Sequence, residues 1–393
     1  MNIMASQRKA FGILFLVVAT ELIGFGLIIP ILPQLASKFN VPSIWLGVLL
    51  ASYSLAQFIA APILGALSDV YGRKPVLIAS KLGSCVAYGI LAVSQSYTLF
   101  LIARLLDGFT GGNISTARAY VADITTPENR AKGMAVIGIS FGTGFILGPA
   151  LGGFLYGTFS GHFIPAMVAG SLSLAALILT WLFLEEPPKR TSIATNRKWI
   201  NFTEVLKSPV IQIICVLQLV YMTVFSGFET TFSVFTDFVY RYTEQQNSML
   251  FMYAGLLALV VQGMIMRKTS KRAKVMVILG FVITAIGFLL LAVSNWLWGL
   301  LMALAIFSVG IGLVNAYLPA LLSTSCNDHD KGKVMGIYES LGSMGRILGP
   351  TMAYMGLVAS MVHLYLAYVV VLLLLALGVF FVNPHETASK NPS

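Results

Sequence analysis

Apolar residues in this sequence do not alternate with polar ones; they gather in blocks of roughly 20, parted by short runs of Gly, Pro, Ser and charge. At 1.5 Å of rise per residue, a helix of that length crosses the ~30 Å hydrocarbon layer of a bilayer. Twelve blocks can be read: 11–35, 44–67, 76–94, 99–121, 133–157 and 163–184, then 209–235, 249–266, 275–293, 296–322, 334–359 and 362–382. The pattern predicts an all-α integral membrane protein of twelve transmembrane helices. One long polar connection contains Glu185-Glu186-Pro187-Pro188-Lys189-Arg190 and divides the blocks evenly. It predicts two six-helix halves: a bundle over 1–184, a linker over 185–207 and a second bundle over 208–393.

Repetition supports the division. Gly144-Phe145-Ile146-Leu147-Gly148-Pro149 in block 5 returns as Gly345-Arg346-Ile347-Leu348-Gly349-Pro350 in block 11, 201 residues on. A weaker pair sets Gly65 with Arg73-Lys74 against Gly263 with Lys271-Arg272. Two copies in the same orientation imply a parallel repeat, with the working site at their shared face near the membrane midplane.

Composition removes the alternatives. The chain is 57% hydrophobic and only 10% charged, where soluble domains carry about 25% charged residues. No soluble fold of this size has the interior to hide so much apolar surface. Cys85, Cys215 and Cys326 are scattered, without metal or disulfide spacing, and read as small packing residues. The net charge of +10 could signal nucleic acid, but its distribution signals topology instead. With a cytoplasmic N-terminus, twenty of the 25 Lys and Arg, Arg118 among them, fall on the cytoplasmic side and only Lys38 and Arg241 outside. Lys81, Arg104 and Arg346 remain inside the blocks, Lys81 near enough to the cytoplasmic end to snorkel.

Ionisable groups at lipid depth cost about 2.5–3.5 kcal/mol each on insertion scales, so they mark function or a partner. Glu21 sits near the middle of block 1; a desolvated carboxyl can hold a proton near neutral pH, which proton coupling requires. Arg104 and Asp107, three apart on one helix, make either a charge relay facing a cavity or a structural ion pair. Glu229 is a proton or cation site, or a residue near the outer mouth. Arg346 replaces the Phe145 of the first repeat and suggests a salt bridge to Glu339 or Glu229, or an anionic substrate contact. Tyr53, Gln57, Phe141, Tyr221, Phe225 and Tyr338, with Asn315, suit a greasy cavity for an aromatic ligand. Gly142-Thr143-Gly144 lacks the Gly-Lys-Ser/Thr of a phosphate loop, and His162, His329, His363 and His385 form no catalytic or metal constellation. No cofactor, metal or enzymatic activity is expected.

Three motifs carry a family likeness. Between blocks 2 and 3 stands Gly65-Ala66-Leu67-Ser68-Asp69-Val70-Tyr71-Gly72-Arg73-Lys74-Pro75, where glycines permit close approach, Asp69 suits a helix N-terminus or a basic partner, and Arg73-Lys74 hold the loop inside. Block 4 holds Arg104, Asp107 and Gly108; block 5 sets Gly144, Gly148 and Gly152 at four-residue spacing around Pro149, echoed by Gly349-Pro350. The sequence resembles the major facilitator superfamily, specifically the twelve-span drug:proton antiporters, over nearly its whole length. Glu21-Leu22-Ile23-Gly24-Phe25-Gly26 and Ala122-Asp123-Ile124-Thr125 are similar to tetracycline exporters, and Phe228-Glu229-Thr230 to quinolone exporters. It departs at Val70, at Asp107, where a neutral residue is usual, and at Asn315, where quinolone exporters have a second carboxylate.

The resemblance implies a proton-coupled exporter of amphiphilic small molecules or drugs, working by alternating access. Burial makes Glu21 the expected coupling carboxyl, and the close packing of the glycine face makes bulk at Gly148 expected to wedge the halves apart. An exporter of one endogenous metabolite or siderophore, or a lipid flippase, is the alternative. A receptor or membrane enzyme would need a constellation or soluble domain that is absent from the sequence. The expected partners are a small amphiphilic substrate, protons and the lipid bilayer, with no nucleic acid. The chain is expected to be a monomer in the cell inner membrane with both termini cytoplasmic.

Overall fold

Inside lipid each unpaired backbone N–H or C=O costs several kcal/mol, so long apolar runs satisfy themselves as helices. The computed structural model describes residues 2–28, 44–159, 161–187, 208–242, 244–267, 272–326, 330–357 and 360–382 and is helical through almost all of them. The helices are α1 (Asn2–Ile28), α2 (Ile44–Tyr71), α3 (Arg73–Val93), α4 (Tyr97–Gly111), α5 (Asn113–Ile124), α6 (Arg130–Phe159) and α7 (Phe163–Phe183). Then follow α8 (Pro209–Tyr240), α9 (Glu244–Arg267), α10 (Ala273–Val293), α11 (Leu297–Thr324), α12 (Lys331–Leu357) and α13 (Met361–Phe380). Positions 29–35 of the first apolar block and 188–207 of the linker lie outside the described residues.

Eight described helices contain segments long and apolar enough to cross a membrane. The rest show why their blocks are less uniform. Block 4 is broken at Gly112, whose N–H returns to the carbonyls of Phe109 and Thr110, so it forms α4 and α5. α6 and α12 open with Arg130 and Lys331 before their apolar stretch begins. Large apolar side chains such as Val93, Trp181 and Leu374 stand more than half exposed, as a lipid-facing surface requires.

The described residues fall into two compact units, one drawn from Met1–Ile124, Ile139–Asn201 and Asp328–Ser340, the other from Thr125–Gly138, Phe202–Asn327 and Leu341–Ser393. Each is thus one half of the sequence with the opening turns of one of its helices replaced by those of a helix from the other half. The two exchanges use reciprocal bonds. In the first unit Lys331 Nζ donates to the Ala122 carbonyl at 3.2 Å. In the second, Arg130 Nη1 donates to the Ser323 carbonyl at 3.2 Å. Lys331 and Arg130, like Ser323 and Ala122, stand 201 positions apart, the offset of the Gly-Pro repeat.

Gly144, Gly148 and Gly152 of α6 seat on α1. A Cβ on Gly148 would lie 2.8 Å from the Gly26 Cα, and one on Gly144 or Gly152 would overlap Leu22 or the Leu27 carbonyl. The partner of this small-residue face is α1 of the same unit, which corrects the expectation that bulk there acts first as a wedge between halves. In the second unit Gly349 seats on α8 in the same way: a Cβ there would lie 2.8 Å from the Gly227 nitrogen.

Candidate functional site

The face of α3 that turns inward carries Ser80 with Lys81, then Ser84 and Tyr88 at three- to four-residue spacing, all of them buried. Lys81 has no exposed surface, and its Nζ lies 2.7 Å from Glu21 Oε2 of α1, itself fully buried. The snorkelling expected of Lys81 is therefore overturned: its ammonium is fully buried, paired with a carboxylate and donating to Thr20 Oγ1 at 3.0 Å. Ser84 Oγ at 3.4 Å and Asn113 Nδ2 at 3.4 Å add donors to Glu21. Two buried charges repay their desolvation only with such geometry and such extra bonds.

A second ion pair lies in the same interior. Arg104 Nη1 is 3.2 Å from Asp107 Oδ2 on α4, and Tyr88 OH donates to the same oxygen at 3.1 Å. The Arg104 guanidinium lies over the rings of Tyr53, 4.7 Å from its centroid, and Phe25, at 5.4 Å. Thr110 bridges the pairs: its hydroxyl is 2.9 Å from Ser84 Oγ and 3.0 Å from the Asp107 carbonyl. Gln57 Nε2 donates to the Gly111 carbonyl at 2.8 Å, and a Cβ on Gly111 would sit 3.0 Å from Glu21 Oε1 and 2.5 Å from Tyr53 OH. Of the expected site residues, Glu21, Arg104, Asp107, Tyr53 and Gln57 therefore form one cluster. Among the described residues, Asp107 Oδ1 and Asn113 Oδ1 are buried without a hydrogen-bond donor.

The remaining expected residues are distributed. Arg118 is not a loop cation; it is buried in α5 and pairs with Glu339 of α12, its guanidinium 5.5 Å from the Tyr338 ring and 6.0 Å from Phe141. In the second unit Arg346 Nη2 donates to Ser343 Oγ at 2.8 Å and acts electrostatically on the half-buried Glu229. In that second unit Tyr221 stacks on Phe225 at 6.4 Å and meets Phe281 edge-on at 5.8 Å, while Asn315 is half-buried on α11.

The loop motif forms a compact charge network. Asp69 meets both partners its type suits: its oxygens accept from the N–H groups of Gly332 and Lys333, each at 2.9 Å, at the start of α12, and Oδ1 lies 2.7 Å from Arg73 Nη1. Arg73 also reaches Asp123 Oδ2 at 2.9 Å. Glu186 accepts from the N–H groups of Arg73, at 2.6 Å, and Lys74, at 2.8 Å, satisfying the exposed first turn of α3. Gly72 has φ 103°, a conformation only glycine adopts freely, and a Cβ there would crowd Glu186 Oε1 at 2.7 Å. Gly65 lies against the Gly332 carbonyl, with no room for a side chain.

Sequence reasoning missed Lys81, Ser84, Tyr88 and Asn113 as site residues. The signal was there as a polar stripe on one face of an otherwise apolar α3. It is masked because Lys81 lies within two to three turns of the helix's start, where a lone cation is usually a snorkelling one.

A helical membrane protein with a duplicated chain, buried ion pairs and glycine-packed helices is a solute transporter in class. The profile of the Major Facilitator Superfamily matches residues 14–350 and 273–393, and the chain belongs to that family. It is 29% identical over 402 residues to mouse (Mus musculus) major facilitator superfamily domain-containing protein 10, covering 89% of this chain and 87% of that one. Identity to the class H tetracycline resistance protein of Pasteurella multocida is 32% over 354 residues, 88% of each chain. Multidrug resistance protein 2 of Bacillus subtilis (strain 168) is 30% identical over 356 residues, again 88% of each. The crystal structure of the human organic anion transporter MFSD10 (TETRAN) superposes with a TM-score of 0.83 at 26% identity, over 95% of this chain and 99% of that one.

Proposed function

We propose that this transporter exports amphiphilic small molecules in exchange for protons, by alternating access, from the cytoplasmic membrane of a cell, with both termini in the cytoplasm. The observation that carries the reading is the buried cluster of the first unit: four ionisable side chains, Glu21, Lys81, Arg104 and Asp107, all within lipid-depth helices and at most 1% exposed. Groups so costly to insert are retained where charge must be gained and lost during transport. The glycine contacts of α6 on α1 and the network around Asp69 and Arg73 supply rigid elements that move as bodies. Similarity to tetracycline and multidrug resistance proteins supports efflux of amphiphiles.

The test is transport by the purified chain in proteoliposomes containing a pH-sensitive dye, challenged with tetracycline, an aromatic cation and an aromatic carboxylate. Substrate-dependent proton movement with tetracycline or the cation supports the reading; substrate flux with no proton movement contradicts it. A response to the carboxylate alone supports a second reading, an organic anion carrier, which the similarity to the human organic anion transporter favours. Labelling of single cysteines placed at Ser96 and Ser389 in intact cells checks the topology: an impermeant reagent should reach position 96 and not 389.

A further inference from the structure

The two buried carboxylates of the first unit are not equivalent. Glu21 has an ammonium at 2.7 Å and further donors from Ser84 and Asn113, so its ionised form is already matched. Asp107 shares one oxygen, Oδ2, between Tyr88 OH at 3.1 Å and Arg104 Nη1 at 3.2 Å, while Oδ1 is buried with no donor among the described residues. A buried carboxylate oxygen that lacks a donor is the atom a proton can occupy without displacing any bond. Arg104, the nearest cation, spends its faces on Tyr53 and Phe25.

The geometry points to Asp107 Oδ1 as the atom that takes up and releases the proton, with Lys81 acting as a built-in counter-ion that keeps Glu21 a carboxylate. This deepens the proton-exchange reading and rests on it for its role in transport. The charged and titratable groups around Asp107 are Arg104 on its own helix, Glu21 from α1, Tyr53 from α2, and Lys81 and Tyr88 from α3. Tyr88 is a positioning residue. Its hydroxyl reaches Asp107 only because Gly24 of α1 has no Cβ, which would otherwise occupy the same space. Proton binding adds one positive charge to a cluster that is otherwise balanced, two carboxylates against two cations. Release restores the balance, so occupancy of Asp107 and of a cationic substrate group nearby exclude one another without direct contact.

The test needs no substrate. The full chain in liposomes is compared by infrared difference spectroscopy between about pH 6 and about pH 9, where exposed carboxyls are ionised at both. The expected result is a protonated-carboxyl band, shifted in heavy water, that disappears in Asp107→Asn and persists in Glu229→Gln. It should also persist in the double variant Glu21→Gln with Lys81→Met, which removes both members of the pair and so leaves no uncompensated charge to unfold the protein. Tyr88→Phe should keep the band and shift it to higher frequency, since the carboxyl loses a hydrogen bond; a merely structural tyrosine would leave the frequency in place. A band retained in Asp107→Asn, or lost in the Glu21/Lys81 double variant, overturns the assignment. If the Asp107 band titrates as expected while transport by the unaltered chain ignores a pH gradient, the site stands and the coupling reading falls.

Discussion

α3 and α10 hold equivalent places in the sequence repeat, 200 residues apart, and so do α4 and the first half of α11. Yet the cores they build differ in kind. Lys81, Tyr88, Arg104 and Asp107 in the first unit stand against Phe281, Phe288, Leu304 and Phe307 in the second, all of them buried. α1 and α8, aligned through Gly26 and Gly227 beneath the repeated glycine motif, set Glu21 against Met222. Where the first unit has two ion pairs, the second has a ring cluster: Phe228 on Phe307 at 4.5 Å, Phe288 edge-on to Phe307 at 5.1 Å and Phe228 edge-on to Phe288 at 5.3 Å. Each such aromatic pair contributes about 0.5–1.5 kcal/mol beyond its buried area. One scaffold thus accepts either filling. The aromatic one is the cheaper to bury, and only the ionic one could bind and release charge, as the proposed exchange would require.

The comparison can be broken most forcefully at Lys81. Lys81→Met leaves Glu21 buried without its counter-charge and should destabilise the protein by about 3–5 kcal/mol, read as a large fall in the thermal unfolding midpoint in detergent. Adding Glu21→Gln should return most of that loss, because the pair then becomes neutral like Met222 and Phe281. Full stability of the single variant would mean that the ion pair contributes nothing. A smaller effect is expected at Gly24: Gly24→Ala drives a methyl into the Tyr88 hydroxyl and should cost about 1–3 kcal/mol as overpacking, with partial relief when combined with Tyr88→Phe. Smallest is Ser84→Ala, which removes one of several bonds to Glu21 and should cost about 0.5–1.5 kcal/mol.

Much of this was legible in the sequence. The block length announced membrane helices, and the repeated Gly-x-Ile-Leu-Gly-Pro pattern marked the glycine faces, because lipid allows only self-satisfied backbone and close helix contact demands small residues. Glu21, Arg104 and Asp107 were recognisable because charges at lipid depth are rare. What the sequence hid was pairing. Lys81 and Glu21 are 60 positions apart, and Arg118 and Glu339 are 221 apart; nothing local links them. Arg118 sits at an apolar block's edge and reads as a loop cation until α12 brings Glu339 beside it. The exchange of opening turns between units was equally invisible, since it depends on which helix ends meet, not on how far each half extends.

The central claim is that exchange of charge belongs to the ionic core, and at Asp107 within it. The most direct measurement is accumulation of the transported substrate against its gradient in proteoliposomes under an imposed pH gradient, comparing the unaltered chain, Asp107→Asn and Phe307→Leu, the last altering the equivalent position of the aromatic core. Asp107→Asn should lose gradient-driven accumulation while still equilibrating substrate downhill, and Phe307→Leu should keep its dependence on the pH gradient even if less protein folds. Accumulation by Asp107→Asn at the level of the unaltered chain, or loss of coupling in Phe307→Leu with downhill movement intact, would contradict the account.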